Sequence, residues 1–158
     1  MVTSILLAVD PDDTARAEEL AAHTIDVARP TDATVVLAHV IGTGKYEDEV
    51  QSYHEAIDRI GFDVQNRSLP PESLAKETEP VGEIAERIED AGIDVEVKAA
   101  VGDRATEIVQ LADVTDVDLV VVGGRKRSPT GKAVFGSSAQ KILLNAPCPV
   151  TYVREGTV

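Results

Sequence analysis

The residues best suited to chemistry lie in Val120-Val121-Val122-Gly123-Gly124-Arg125-Lys126-Arg127-Ser128-Pro129-Thr130-Gly131-Lys132-Ala133-Val134-Phe135-Gly136-Ser137-Ser138-Ala139-Gln140. Arg125, Lys126, Arg127 and Lys132 place four cations within eight positions of an otherwise acidic chain. Such a local reversal of sign suits an anion. Gly123 and Gly124 directly follow an apolar run, and without a Cβ the backbone there can turn sharply and approach a ligand closely. The stretch closes on Gly136-Ser137-Ser138 at a predicted helix start, where free N–H groups and the positive end of the helix dipole favour phosphate. Ser137 with Gln140 also fits an S-x-x-Q capping box, so Ser137 reads either as a phosphate ligand or as a cap. Arg127, Thr130 and Lys132 are secondary phosphate candidates, and Thr130 and Lys132 read equally well as surface residues. Asp10 ends the first apolar run, where its carboxylate either accepts hydrogen bonds from ribose hydroxyls or braces the first loop.

The elements that must hold these residues are legible as apolar runs. Val2 to Val9, Ala33 to Ile41, Ile93 to Val101, Leu119 to Val122 and Val150 to Val153 are mostly β-branched and predict five strands. Leu20, Ala21, Thr24 and Ala28 recur at helical spacing after Asp12 or Asp13, either of which could cap the helix. Ile84, Ile88 and Ala91 mark a helix that stops at Gly92. Asp103 caps another carrying Ile108, Leu111 and Ala112, and the last begins near Ser137. Strands alternating with helices predict one α/β domain, an open doubly wound sheet of five parallel strands in the order 3-2-1-4-5 with helices on both faces. In that order the crevice for a ligand opens between strands one and four, beside Asp10 and Gly123. The variable segment from Gly42 to Pro80 is irregular: a helix is expected around Val50 to Ile60, then a turn at Leu69-Pro70-Pro71.

Composition narrows the function. The 158 residues carry 28 acidic and 15 basic side chains, a net charge of −13, which argues against a nucleic-acid partner because phosphate backbones are bound by clustered positive charge. No apolar run approaches the ~18 to 20 residues of a membrane span, and the single Cys148 permits no internal disulfide, so a soluble cytoplasmic protein is expected. Equal use of Asp and Glu, few lysines and 3% aromatics suggest adaptation to concentrated salt, which would screen the surface charge. A dinucleotide-binding fingerprint fails because Asp10-Pro11-Asp12-Asp13 contains no glycine; a Walker loop fails because Ala133 follows Gly131-Lys132. A receiver domain fails because the third strand ends in Ala99-Ala100-Val101 without an acceptor aspartate. His23, His39 and His54 lack metal-ligand spacing, and no general base can be named, so no catalytic residue is assigned.

Taken together, Gly123 and Gly136-Ser137, the opening strand ending in Asp10, Ala38-His39-Val40, Val101-Gly102-Asp103, Val117 to Gly123 and Asn145-Ala146-Pro147-Cys148-Pro149-Val150 resemble the universal stress protein family. Its fourth-strand loop reads G-x2-G-x9-G-[ST], and here Lys126 replaces the second glycine. The resemblance implies a homodimer, often through the last strand, here Val150 to Val153, with ATP or AMP bound in some members and no nucleotide in others. By position, Asp10 would contact ribose, Val40 would line adenine, and Gly123, Gly136, Ser137 and Ser138 would hold phosphates. Lys126 either adds a cation or crowds the backbone's path to the phosphates. Three activities follow: a nucleotide-binding regulatory dimer, a nucleotide-independent interaction protein with an unidentified partner, or a slow ATPase in which Asp10 helps place Mg²⁺.

Overall fold

In the computed structural model, residues 2–60, 70–124 and 136–154 are described. Five strands, β1 (Ser4–Ala8), β2 (Thr34–Ile41), β3 (Val95–Val101), β4 (Leu119–Gly124) and β5 (Val150–Arg154), form one sheet in the order β3-β2-β1-β4-β5. Every neighbouring pair is parallel. The expected topology is therefore the observed one, with β1 at the centre and Leu7 beside Leu37 on one flank and Val121 on the other.

Strand alternation divides the core into two layers. Ile5, Leu7 and Val9 of the β1 segment pack with Leu20, Ala21, Ile84 and Ile88, which belong to α1 (Ala17–Ala28) and to a helix at Val81–Asp90. Leu6 and Ala8 face the opposite way, towards Ile108, Ala112 and Ile142 of the helices Arg104–Val114 and Ser137–Asn145. The four β1 residues from Ile5 to Ala8, and Val9 after them, are essentially without solvent contact, so the central strand reads as a continuous apolar run because it is covered on both faces.

Two expectations about local structure are corrected. Asp12 and Asp13 lie inside a short 3₁₀ turn (Pro11–Arg16) instead of capping the helix, and α1 starts at Ala17 with no side-chain cap. The segment after β2 is also more helical than its sequence suggests. Helix α2 runs Thr43–Ile60 rather than starting near Val50, its first turn closed by Tyr46 N–H donating to the Gly42 carbonyl at 2.9 Å. Gly44 near its start weakens the sequence signal. The Pro70-Pro71 pair opens α3 (Pro71–Glu77), with Pro70 extended and Pro71 at the first helical position, where a missing N–H costs nothing. The two helices after it are α4 (Val81–Asp90) and α5 (Arg104–Val114), and the last is α6 (Ser137–Asn145). None of the described helices is long and apolar enough to cross a membrane.

The edge between β1 and β4 is pinned at its amino end by Asp118. One carboxylate oxygen accepts from Thr3 N at 2.9 Å, Thr3 Oγ1 at 2.9 Å and Ser4 N at 3.1 Å. The Thr3 N–H and hydroxyl, followed by Ser4 N–H, hold this exposed carboxyl below its usual range. Since the folded state binds its proton less readily than the unfolded chain does, the contribution is full above the ordinary carboxylate pKa and is lost as pH falls through the lowered value. Asp118→Asn should lower the melting temperature at neutral pH. The difference between the two proteins should shrink steadily in melts below about pH 4.

Candidate functional site

At the carboxyl ends of β1, β2 and β3 lies a cleft of about 420 Å³, lined by Asp10, Pro11, His39, Val40, Ile41, Gly42, Gly102 and Arg104. Its far wall comes from the segment expected to be irregular: Lys45 and Glu49 of α2, then Leu74, Glu77 and Thr78 at α3 and its end. Val40, Ile41 and Leu74 supply apolar surface, and Asp10, Glu49, Glu77, Lys45 and Arg104 supply charged groups of both signs. This combination of a concave apolar wall with a few polar groups suits a small ligand that has both apolar and polar parts.

Asp10 is fixed from two sides. Its backbone N–H donates to Asp13 Oδ2 at 2.7 Å, and its Oδ2 pairs with Arg104 Nη1 at 2.6 Å. Asp13 is wholly buried, and its other oxygen accepts from Arg16 Nε at 2.6 Å. Burial pushes the Asp13 carboxyl up, opposed by the Asp10 N–H and by the charges of Arg16 and Arg104. His39, also buried, uses Nδ1 to donate to the Val9 carbonyl at 2.9 Å, which ties β2 to the residue preceding Asp10.

Gly123 has a use that the sequence reading did not foresee. A Cβ at this position would lie 2.8 Å from Asp13 Oδ1 and 2.9 Å from Arg16 Nε. Its missing side chain therefore makes room for the buried ion pair, which links the end of β4 to the loop that carries Asp10. At Gly124 the Tyr152 ring of β5 fills the space a side chain would need. The structure thus brings Asp10 and Val40 together on the cleft wall and joins Gly123 to Asp10 through Asp13. Gly123 itself does not line the cleft.

The other predicted positions separate into two groups. Gly136 occupies the N-cap of α6, and its carbonyl accepts from Gln140 N at 3.1 Å. Ser137 is then the first helical residue, and no side chain caps this end, so the capping-box reading of Ser137 and Gln140 is replaced by a backbone start. Ser138 follows, half-buried. Lys126, Arg127, Thr130 and Lys132 lie outside the described residues. Among the described residues no cluster of His, Cys, Asp and Glu could hold a metal ion. Burial, followed by the charge of Asp118, pushes the Cys148 thiol up, away from the thiolate form a nucleophile needs.

The profile of the universal stress protein family matches residues 1–154. The chain belongs to the universal stress protein family. A universal stress protein of Mycolicibacterium smegmatis is 39% identical over 75 residues, a match covering 47% of this chain and 58% of that protein. A universal stress protein structure from Archaeoglobus fulgidus superposes with a TM-score of 0.70 at 31% identity, covering 97% of this chain and 99% of the other. A second structure, of the universal stress protein from Archaeoglobus fulgidus in complex with dAMP, gives 0.65 at 26% identity, with 97% and 99% covered.

Sequence reasoning missed Arg104, the Asp13–Arg16 pair and the wall from α2 and α3. Arg104 carried one signal: it opens a helix, the end at which a cation is disfavoured by the dipole and so needs another reason to be present. In this member of the universal stress protein family, Gly123→Ala should crowd the buried ion pair and cost about 1–3 kcal/mol in denaturant unfolding. The same change should weaken any ligand that depends on Asp10, whereas a ligand-binding role for the Gly123 backbone alone would leave the unfolding midpoint in place.

Proposed function

We propose that this universal stress protein is an adenine-nucleotide-binding regulatory protein that works as a homodimer. The observation that carries the reading is a cleft lined by both Asp10 and Val40 at the carboxyl ends of β1 and β2, the end of the sheet at which open α/β folds bind ligands. The dAMP held by the Archaeoglobus fulgidus relative supports the ligand class. In this reading Asp10 accepts from ribose hydroxyls and Val40 lies against the adenine. The Gly123 end of β4 and the start of α6 at Gly136, Ser137 and Ser138 offer N–H groups to the phosphates of AMP or ATP. Lys126, Arg127, Thr130 and Lys132 are proposed as further phosphate contacts, with Mg²⁺ accompanying ATP.

The cleft fits the nucleoside half of such a ligand, because it combines an apolar wall with a donor and an acceptor at one end. Nucleotide binding would alter a surface read by a protein partner in the cytoplasm. The dimer is proposed through β5, whose outer edge closes the sheet, with half-buried Val150 and Tyr152 along it and exposed Leu143 and Leu144 on the neighbouring α6. A strand that comes last in the sheet among the described residues, beside apolar side chains, is well suited to pairing with a second copy.

Calorimetric titration with AMP and ATP tests the reading. Wild-type protein should bind saturably in buffers from low to multimolar KCl. Asp10→Ala should weaken binding about tenfold or more, the value of a hydrogen bond to a charged group. Asp10→Asn, which keeps the shape, should also weaken it. Folded wild-type protein that binds neither nucleotide at any salt concentration would overturn the reading in favour of a nucleotide-independent interaction protein.

A further inference from the structure

The Asp10–Arg104 pair has a chemical meaning beyond bracing. Its two side chains meet at 2.6 Å on the cleft wall and are 22% and 27% exposed, so both are open to a bound ligand. An ionised carboxylate only accepts hydrogen bonds and a guanidinium only donates them. A hydroxyl does both. A vicinal diol laid along this pair can donate an O–H to Asp10 and accept an N–H from Arg104, and both contacts are charge-assisted. A carboxylate alone would satisfy only the donor half of each hydroxyl.

Helix stability does not account for Arg104. It is the first residue of α5, at the positive end of the dipole, where a cation is disfavoured. The cap of that helix is provided separately by Asp103, which accepts from Thr106 N at 3.1 Å and Thr106 Oγ1 at 2.8 Å. Arg104 is held instead by the carboxylate of a different loop, inside the cleft. Around it, Glu49 and Glu77 outnumber Lys45 as charged lining groups, so the cleft favours a neutral sugar edge over one bearing an extra phosphate.

We infer that Arg104 is a specificity-determining residue: together with Asp10 it reads the 2′- and 3′-hydroxyls of ribose as a diol, so that the cleft selects ribonucleotides over 2′-deoxyribonucleotides. This rests on the adenine-nucleotide reading given above. Removing the 2′-hydroxyl takes away one of the two hydroxyls that this donor–acceptor pair can hold and so one of the charge-assisted contacts, and sites built to bind a hydroxyl reject analogues that lack it.

The test is calorimetric titration of the full chain with AMP and with dAMP, using wild type, Arg104→Ala and Arg104→Lys, each checked for an intact melting transition. Wild type should bind AMP about tenfold more tightly than dAMP. Arg104→Ala should bind AMP more weakly and bring that ratio below about threefold, and Arg104→Lys, which keeps the charge without the planar fork, should fall between them. Equal binding of AMP and dAMP by wild type, or a ratio unchanged in both variants, would overturn the inference and leave the nucleotide reading standing. Tighter AMP binding by Arg104→Ala would also overturn it, marking the arginine as a plug that the nucleotide has to displace. Absence of binding of either nucleotide to folded wild type would overturn both readings together. Should Arg104→Ala fail to fold, the Arg104→Lys ratio alone decides.

Discussion

The buried pair of Asp13 and Arg16 is the constraint around which the ligand-facing end of this molecule is arranged. Charges removed from water are tolerated only with close partners and filled hydrogen bonds, and losing one partner typically costs about 3–5 kcal/mol. Here the geometry meets that demand. Asp13 uses one oxygen for Arg16 Nε and the other for the Asp10 N–H, and Gly123 leaves the volume that the pair needs. The end of β4 and the loop after β1 are therefore positioned against each other by this packed contact. This is a positional device more than a source of net stability, because buried pairs of this kind often do no better than apolar residues of the same shape.

From that contact the rest of the site follows through the sheet. With β1 between β2 and β4, the chain leaving Ala8 emerges beside both neighbours. His39 secures one side by donating to the Val9 carbonyl, and the Asp13–Arg16 pair secures the other. Asp10 is then delivered to the cleft wall with its backbone already committed, and only its carboxylate faces Arg104 and the open space. Preorganisation of this sort reduces what a ligand must give up to order the residues it touches.

Much of the fold was legible because parallel strands buried on both faces leave near-continuous apolar runs, and those from Val2 and Ala33 match β1 and β2 to within two residues at either end. The expectation that Asp10 and Val40 share a site came from the family resemblance, and both line the cleft near the carboxyl ends of β1 and β2. The helices α2 and α3 were harder to read, since Gly44 and the Pro70-Pro71 pair are signals shared by turns and by helix starts. The packing use of Gly123 was not legible: a glycine after a strand records only that space is needed, not whether a ligand or another side chain fills it. The pairing of Asp10 with Arg104 joins residues 94 positions apart and has no local signature. Lys126, the departure from the family loop, lies outside the described residues, so its reading rests on sequence alone.

The claim that the Asp10–Val40 cleft receives the adenosine half of a nucleotide is tested most directly by mapping backbone amide shifts by heteronuclear NMR as AMP is added. The account predicts the largest changes at Asp10, Val40, Gly102 and Arg104, with a second group at Gly123 and the start of α6, and little change at the amino end of β1 near Asp118. Changes confined to β5, or to surfaces away from the carboxyl ends of β1 and β2, would contradict it.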